Sequence, residues 1–287
     1  MTDHRTPEGQ SFRRRTFAER LVSAMPAGAV GRRIRRSLKP LYHNVLARSG
    51  NLEAALPGGE RVIVAPQHRH MTWNREEYDA FRAGTPRGGV VLDVGANVGA
   101  YALLFGQWVG EGGRVYAFEP DPLALQGLRA HIAMNGPAGR VTAVDSAITD
   151  HSGRVRLAVF DSPGISRLCA SDAPSTSYRV DTAATSIDDF CAERNVRPDV
   201  IKLDVEGAEL EALRGARQTI GIAGQALQLF VEMHPSLWES MGYSREDLMG
   251  ECEAQGLVPK RLDGGTSNLW TTEGVCVRLR TRQQCES

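Results

Sequence analysis

The chain has 287 residues, of which 24% are charged, and its formal net charge at pH 7 is zero. This length suffices for one large α/β domain with an extension, or for two small domains. The five cysteines lie far apart without a Cys-x-x-Cys pair, which favours free thiols in a reducing cytoplasm. Residues 90–110 imitate a membrane span but contain Asp93 and four glycines, so strand, turn and helix explain them better than a span.

Positive charge is concentrated in the first 48 residues, which hold eleven Lys or Arg against three Asp or Glu. The arginine clusters 13–15 and 32–36 could touch a membrane surface, nucleic acid or an anionic substrate. No aromatic residues alternate with these arginines as a stacking platform requires, so no specific nucleic acid is expected. We predict a basic arm over residues 1–57, partly helical or disordered, with peripheral membrane contact as one role. No secretory signal is visible, so we expect a cytoplasmic location.

Beyond the arm, the hydrophobic pattern predicts an α/β domain. Residues 60–66 and 75–83 have the patterns of a short strand and a helix, and the glycine-rich segment 84–89 is typical of a boundary. From residue 90 onward strands alternate with helices, which predicts a doubly wound, mostly parallel sheet with helices on both faces. The predicted strands are 90–94, 114–119, 140–148, 200–205, 226–234, 257–262 and 268–279. The predicted helices are 98–108, 122–134, 209–220 and 244–255.

The segment between the third and fourth of these strands departs from the alternation. Ser152-Gly153 separates residues 144–148 from the alternating residues 154–159, which predicts a hairpin-like pair. Residues 161–181 are rich in Ser, Asp and Pro without a clear period, so we predict a mobile loop. Ser186, with Asp189 three residues later, predicts the start of a short helix.

The first of these strands runs into a glycine-rich turn, Asp93-Val94-Gly95-Ala96-Asn97-Val98-Gly99, which precedes a helix. Such a turn lets the backbone approach a nucleotide-like ligand at the helix N-terminus. The dinucleotide fingerprint has a second glycine where Asn97 stands, so a ligand without a pyrophosphate fits better. S-adenosylmethionine is such a ligand, and nicotinamide dinucleotides are its main competitor. The predicted cofactor contacts in this turn are Asp93, Gly95, Ala96, Asn97 and Gly99.

A carboxylate follows the second strand in Phe118-Glu119-Pro120-Asp121-Pro122, about 20 residues beyond the turn. Glu119 is predicted to accept hydrogen bonds from both ribose hydroxyls, and two prolines fix the turn behind it. The alternative is a favourable charge at the start of the next helix. Further predicted cofactor contacts are Pro120, Asn135, Ser146 and Ala147. Asn135 could instead be only a helix end next to Gly136.

The fourth strand delivers three carboxylates to the edge where the first delivers its turn. Asp204 is predicted to face the methyl donor or the acceptor, because reacting groups collect at the carboxyl ends of parallel strands. Glu206 is a catalytic candidate beside it. Both Glu206 and Glu209 could instead be favourable charges in the first turn of a helix.

The fifth strand ends in Glu232-Met233-His234-Pro235, beside Asp204. Transfer of a methyl group to a hydroxyl needs a base, and imidazole titrates near neutral pH, so His234 is the predicted general base. It could also be a hydrogen-bonded structural histidine. Alternatively, Asp204, Glu232 and His234 could bind a hard divalent cation that acidifies the hydroxyl.

Together these motifs resemble the FkbM family of S-adenosylmethionine-dependent methyltransferases. The resemblance rests on the segments 93–101, 118–120, 185–190, 201–209 and 232–235, and it covers roughly residues 58–260. It implies a Rossmann-like class I methyltransferase fold of seven strands, the last antiparallel, in a domain over residues 58–287. It also implies O-methylation of a sugar or glycan hydroxyl, or of a secondary metabolite.

The resemblance also assigns roles to individual residues. It implies that the methionine part of the cofactor is held by Asp93, Gly95, Asn97, Gly99 and Tyr101. Glu119 would hold the ribose, and Asp204, Glu206 and His234 would lie on the acceptor side. His131 departs from the family pattern, in which we expect Asn, and this departure leaves the acceptor open.

Two alternatives of other classes remain. A nicotinamide-dependent oxidoreductase would need the glycine order that Asn97 interrupts. A non-catalytic binding module would act through the basic arm, and its binding would weaken steeply with salt and survive replacement of Asp93 or Asp204.

Overall fold

The computed structural model describes residues 50–136, 139–159, 166–168, 178–263, 265, 269–281 and 284. Its contacts divide the chain into two units at Trp73. In the first unit, strand β1 (Leu52–Ala55) pairs antiparallel with β2 (Arg61–Val64). The predicted boundary at residue 57 falls inside this hairpin, so the end of the predicted arm is a strand. Residues 1–49, the rest of that arm, lie outside the described residues.

The second unit contains a seven-stranded sheet in the order β12-β13-β11-β10-β3-β4-β5. Its strands are β3 (Val90–Val94), β4 (Arg114–Phe118), β5 (Val141–Val144), β10 (Val200–Leu203), β11 (Gln228–Met233), β12 (Leu257–Arg261) and β13 (Val275–Thr281). Five neighbouring strands, β11, β10, β3, β4 and β5, are parallel to one another. Strand β13 is antiparallel to both of its neighbours. The predicted Rossmann-like class I methyltransferase fold, with its last strand antiparallel, is confirmed.

Helices alternate with the strands of this unit, and the sequence predicts each of them except the short helix at residues 235–238. They are α1 (Arg75–Gly84), α2 (Ala100–Trp108), α3 (Pro122–Asn135), α4 (Ile187–Arg194), α5 (Glu209–Arg214), α6 (Arg217–Ala223), α7 (Pro235–Trp238) and α8 (Arg245–Ala254). Ser186 caps α4 as predicted, because its side chain accepts a hydrogen bond from the Asp189 amide at 2.9 Å. No helix in the described part of the chain is long and apolar enough to cross a membrane.

The predicted helix 209–220 is wrong as one element, because it breaks into α5 and α6 at Gly215. A Cβ at Gly215 would lie 2.2 Å from the carbonyl oxygen of Thr149. This close approach of two backbones is a tertiary contact, and the helical pattern of the sequence does not reveal it.

The segment after β5 forms a second sheet rather than the predicted hairpin and loop. Its strands are β6 (Ala147–Ile148), β7 (Gly153–Val159), β8 (Ser166–Leu168) and β9 (Tyr178–Thr185), in the order β6-β9-β7-β8. The predicted pairing of residues 144–148 with 154–159 is wrong, because β7 pairs antiparallel with β9 and β6 pairs with β9 as well. The predicted loop 161–181 is wrong where it contains β8 and the start of β9. Its other residues lie outside the described part.

The register of the large sheet aligns the ends of β3, β4 and β10 in one row with Val231, two residues before the end of β11. Val94 is paired with Phe118 on one side and with Leu203 on the other, and Leu203 is paired with Val231. Each strand therefore places its next residue at the same edge. Those four residues are Glu119, Gly95, Asp204 and Glu232. The strands that carry them are almost entirely apolar and buried, which fixes this register.

Candidate active site

A cavity of about 170 Å³ opens at this row of strand ends. All four residues of the row line it. The other lining residues come from the turns after β3, β4, β5 and β10, and from the second sheet. They are Val94, Asn97, Phe118, Pro120, Asp121, Ala124, Ser146, Ala147, Ile148, Leu157, Leu168, Val205, Glu206 and Ala208.

The glycine turn after β3 is held by its neighbours in a conformation that few residues adopt. Gly95 has a φ of +75°, and a Cβ there would lie 1.8 Å from the Asp204 carbonyl oxygen. Asn97 has a φ of 51°, and its amide donates to Glu119 Oε2 at 2.7 Å. A left-handed residue other than glycine costs roughly 1–2 kcal/mol, which the surrounding bonds must offset. The turn is therefore held in shape by contacts within the chain.

Two residues of the predicted turn support it without lining the cavity. The Ala96 amide donates to the Phe118 carbonyl at 2.9 Å. Gly99 has a φ of +99° at the start of α2, and a Cβ there would lie 2.8 Å from Leu128 Cδ1 of α3. Gly99 thus permits close packing of α2 and α3. His131 also connects α3 to this turn, because its Nδ1 lies 2.7 Å from the Val98 carbonyl oxygen.

Glu119 is 4% exposed and directly follows β4, next to Gly95 in the row. Its Oε1 accepts from the Asp121 amide at 2.8 Å, and its Oε2 accepts from the Asn97 amide at 2.7 Å. Burial raises the pKa of Glu119 to about 7, although these two bonds oppose the shift. Each carboxylate oxygen retains a further lone pair, so Glu119 can also accept from hydroxyl groups in the cavity.

Of the remaining predicted cofactor contacts, some line the cavity and one does not. Pro120, Ser146 and Ala147 line it, as predicted. Asn135 does not, because its Nδ2 donates to the His131 carbonyl at 2.8 Å at the end of α3. The structure therefore favours the helix-end role for Asn135.

Asp93 lies behind the cavity and contacts a buried lysine. Asp93 is 0% exposed, and its Oδ1 lies 3.5 Å from Lys202 Nζ, which also lies 3.3 Å from Asp204 Oδ2. Burial raises the pKa of Asp93. Burial lowers the pKa of Lys202, but the negative charges of Asp204 and Asp93 have the larger effect. The pKa of Lys202 is therefore held above its ordinary value. Asp93 therefore balances a buried cation.

Tyr101 likewise points into the interior. Its hydroxyl donates to Glu77 Oε2 at 2.6 Å and accepts from the Asn74 amide at 3.1 Å. Its ring centroid lies 5.9 Å from Lys202 Nζ, within cation–π range. Tyr101 does not line the cavity, so its predicted contact with the methionine part would have to be indirect.

His234, the predicted base, lies beside Asp204 and Glu232 at one end of this row. It is 5% exposed, and its Nδ1 lies 2.7 Å from Glu209 Oε1. Its Nε2 lies 3.8 Å from Asp204 Oδ1 and 3.9 Å from Glu232 Oε1. Burial lowers the pKa of His234, but the hydrogen bond and charge of Glu209 outweigh it and raise the pKa to about 9. Burial, reinforced by the charge of Asp204, raises the pKa of Glu232 to about 9.

Sequence reasoning missed the roles of Lys202, Glu77 and Glu209. Lys202 carried a visible signal, because a lysine inside the apolar run Ile201-Lys202-Leu203 must find buried partners. Glu77 carried none, since it belongs to a helix whose exposed face is charged. For Glu209 the sequence left both a functional role and a favourable charge at a helix start open, but it did not indicate the contact with His234.

The lining of the cavity is strongly acidic. Among the described residues that line it there is no Lys, Arg or His, and the five acidic side chains are Glu119, Asp121, Asp204, Glu206 and Glu232. Of these, Glu232 is mostly neutral at pH 7, because its pKa is raised to about 9. Such a lining attracts a cationic ligand and repels a pyrophosphate. S-adenosylmethionine carries a sulfonium and an ammonium group, and its adenine suits the apolar wall of Ile148, Leu157 and Leu168. The residues present fit this cofactor better than a nicotinamide dinucleotide.

Comparison with known proteins gives the same family that the motifs predict. Residues 93–256 match the family model described as Methyltransferase FkbM domain. The chain is 29% identical over 157 residues to the 31-O-demethyl-FK506 methyltransferase FkbM of Streptomyces tacrolimicus, covering 45% of this chain and 59% of that protein. It is 27% identical over 146 residues to the 2-O-methyltransferase NoeI of Sinorhizobium fredii, covering 46% of this chain and 58% of that protein.

The chain thus spans about three fifths of the length of these curated relatives. Among solved structures, it is similar to Methyltransferase FkbM from Methylobacillus flagellatus, with 20% identity and a TM-score of 0.44. That comparison covers 91% of this chain and 57% of the other. The matched family segment contains the glycine turn, Glu119, Asp204 and His234. The predicted family is confirmed: the chain belongs to the FkbM methyltransferase domain family.

Proposed function

We propose that this protein transfers the methyl group of S-adenosylmethionine to a hydroxyl oxygen of a small molecule or glycan. One observation carries the proposal. The row of strand ends brings Glu119, the glycine turn, Asp204 and Glu232 to one edge of the sheet, and His234 Nε2 lies within 4 Å of both Asp204 and Glu232. The names of the two curated relatives both refer to O-methylation, which supports oxygen as the acceptor atom.

On the cofactor side, bound S-adenosylmethionine supplies an activated methyl group, and the chain supplies alignment. Glu119 accepts hydrogen bonds from the ribose hydroxyls while two backbone amides keep it in place. Asp204 and Glu206 balance the positive charge of the cofactor. Alignment accounts for much of the rate in such a displacement, so a turn that contacts within the chain hold in place contributes to catalysis.

On the acceptor side, His234 takes the hydroxyl proton on Nε2 as the oxygen attacks, and Glu209 and Asp204 stabilise the imidazolium that forms. This base differs from a free imidazole because its pKa is raised to about 9. It is therefore a strong base that is mostly protonated at neutral pH.

Calorimetry and product mass test the proposal together. The full chain should bind S-adenosylmethionine and its demethylated product and give no heat with NADH. Incubation with labelled methyl donor and a fractionated pool of hydroxylated metabolites and glycans should give a product heavier by one methyl group. Tight NADH binding without binding of the methyl donor would favour the oxidoreductase. Methyl-donor binding without transfer, together with salt-sensitive binding through the arm, would favour the binding module.

A divalent cation is the second candidate for the acceptor end. Asp204, Glu232 and His234 each offer a ligand atom, and these atoms lie within 4.8 Å of one another. Lys202 Nζ, however, lies 3.3 Å from Asp204 Oδ2 and already brings a positive charge to the cluster. We therefore propose proton transfer without a metal, and methyl transfer should persist after dialysis against EDTA. A loss of activity that Mg²⁺ restores would favour the cation.

A further inference from the structure

Glu209 is a buried carboxylate whose four hydrogen-bond contacts join three segments of the chain. It is 0% exposed and is the first residue of α5. Its Oε1 lies 2.7 Å from His234 Nδ1 and accepts from the Gly207 amide at 3.1 Å. Its Oε2 accepts from Trp238 Nε1 at 2.8 Å and from the Tyr243 hydroxyl at 3.0 Å. A favourable charge at a helix start would need none of these side-chain partners.

We infer that Glu209 is the positioning residue of the site, which holds His234 in the tautomer with the proton on Nδ1 and the lone pair on Nε2. The tautomer itself does not depend on the proposed function. The inference rests on that function only for the use of the lone pair, which would accept the hydroxyl proton. Glu209 itself touches neither the cavity nor the reacting atoms.

The hydrogen-bond network assigns the tautomer. The Gly207 amide and Trp238 Nε1 can only donate, so both oxygens of Glu209 act as acceptors. The contact with His234 is then a bond from Nδ1–H to a carboxylate. On the other side of the ring, Asp204 and Glu232 lie 3.8 and 3.9 Å from Nε2, which is too far for a hydrogen bond. Nε2 thus lies near two residues that line the cavity, Asp204 and Glu232, and forms a hydrogen bond with neither.

Other charged groups facing His234 act in the same direction as Glu209. Asp204 and Glu206 follow β10, and both raise the pKa of His234 after the larger effect of Glu209. Glu232 lies on β11 beside it, and its pKa is lowered by the charge of His234. Removal of Glu209 alone should therefore lower the basicity of His234 and leave part of the shift in place.

Trp238 and Tyr243 hold Glu209 from the side opposite the histidine. Their rings are stacked with centroids 6.2 Å apart, and the Tyr243 hydroxyl shares its single proton between the Gly207 carbonyl, at 2.7 Å, and Glu209 Oε2, at 3.0 Å. Tyr243→Phe removes these hydroxyl contacts and leaves the bond between Oε1 and Nδ1 unchanged. This variant is the matched control for Glu209→Gln.

Nitrogen NMR of the full chain with labelled histidine tests the inference. The His234 signals are identified by their loss in His234→Gln. In the wild type, we expect the Nδ1–H tautomer at high pH and a pKa well above 6.5. In Glu209→Gln, the pKa of His234 should fall by at least about one unit, a tenfold weaker proton affinity. Tyr243→Phe should keep the wild-type tautomer, and both variants should bind the demethylated product within about threefold of the wild type.

Either of two results would overturn the inference. One is an Nε2–H tautomer in the wild type. This result would overturn the inference even if Glu209→Gln does not fold. The other is a folded Glu209→Gln in which the pKa and tautomer of His234 are unchanged. The tautomer is read without any methyl donor, so an Nδ1–H tautomer in a protein that methylates no hydroxyl would defeat the proposed function and leave this inference standing.

Discussion

At the scale of single residues, the chemistry depends on how neighbours change the ordinary behaviour of a side chain. His234 in water titrates near pH 6.5, whereas Glu209 raises its pKa to about 9 in this site. Glu119 and Glu232 are shifted in the same direction because burial disfavours their charged forms. Each shift comes from contacts between segments that are distant in the sequence.

The first prediction concerns His234→Ala. The substitution should lower the turnover of methyl transfer by about 10²-fold or more, since general-base catalysis typically contributes 10²–10⁴-fold. Affinity for the demethylated cofactor should change little, because His234 does not line the cavity. His151→Ala, at a histidine whose side chain is 63% exposed, is the matched control. A collapse of cofactor affinity in His234→Ala would assign the residue to the cofactor site or the fold.

The pH dependence of turnover gives a second prediction. The proposed base is the neutral imidazole, and its pKa is raised to about 9. The rate should therefore rise with pH between about 6 and 9 and level off above it. In Glu209→Gln, the rising limb should move to lower pH. A wild-type rate that is flat over this interval would contradict the assignment of His234 as the base.

Gly95→Ala gives a third prediction. A Cβ at this position would lie 1.8 Å from the Asp204 carbonyl oxygen, on a backbone with a φ of +75°. The variant should be destabilised by several kcal/mol or fail to fold, as backbone strain and overpacking add. Gly250→Ala is the control, because it lies in α8 with nothing within 4 Å of the added Cβ. Gly250→Ala should be neutral or stabilising in urea unfolding. Equal stability of the two variants would contradict the close approach.

At the scale of elements, helix starts are determined locally and strand pairings are not. The sequence predicts the Ser186 cap because serine and its partner are three residues apart. The pairing of β7 with β9 brings together Gly153 and Ala184, which are far apart along the chain. Local alternation favours the nearer partner at residues 144–148, and this explains the wrong hairpin.

The cap of α8 gives a prediction at this scale. The Ser244 hydroxyl accepts from the Asp247 amide at 3.2 Å, and the Asp247 carboxylate accepts from the Ser244 amide at 2.7 Å. Ser244→Ala should lower the free energy of unfolding by about 1 kcal/mol. Ser236→Ala is the control, because its contact with Glu273 uses the backbone amide, which alanine keeps. Urea unfolding that shows no difference between the two variants would rule out a contribution of this cap to stability.

At the scale of the whole molecule, the acidic site should make stability depend on pH. The folded pKa values are about 7 for Glu119, about 9 for Glu232 and about 9 for His234, all above their ordinary values. The native state therefore binds more protons than the unfolded chain. Stability from these groups is complete below their unfolded pKa values and is lost as pH rises through the folded ones. The free energy of unfolding should fall between about pH 5 and 9.

Urea unfolding at pH 6 and pH 9.5 checks this expectation. The decrease should amount to about 1–3 kcal/mol, allowing for coupling among the three groups. Glu232→Gln should reduce the decrease, because it removes one of the buried acids. Glu246→Gln, at an exposed helix position, should leave it nearly unchanged. A protein that is more stable at pH 9.5 than at pH 6 would contradict these shifts.

The sequence alone determined the class of the fold and the parts of the site that are local. An apolar strand with its turn, a carboxylate after the next strand and a helix cap are each encoded within about ten residues, so periodicity and residue type reveal them. Gly95, Glu119, Asp204 and His234 are predicted as site residues in this way, and the structure brings them close together at one edge of the sheet. The family follows from the same short segments.

Only the tertiary structure decided which of these groups act together and in what protonation state. The tie between Glu209 and His234, the burial of Lys202 between Asp93 and Asp204, and the strand partners of β7 all join residues far apart in sequence. Their energies depend on distance and desolvation, and both quantities exist only once the chain has folded.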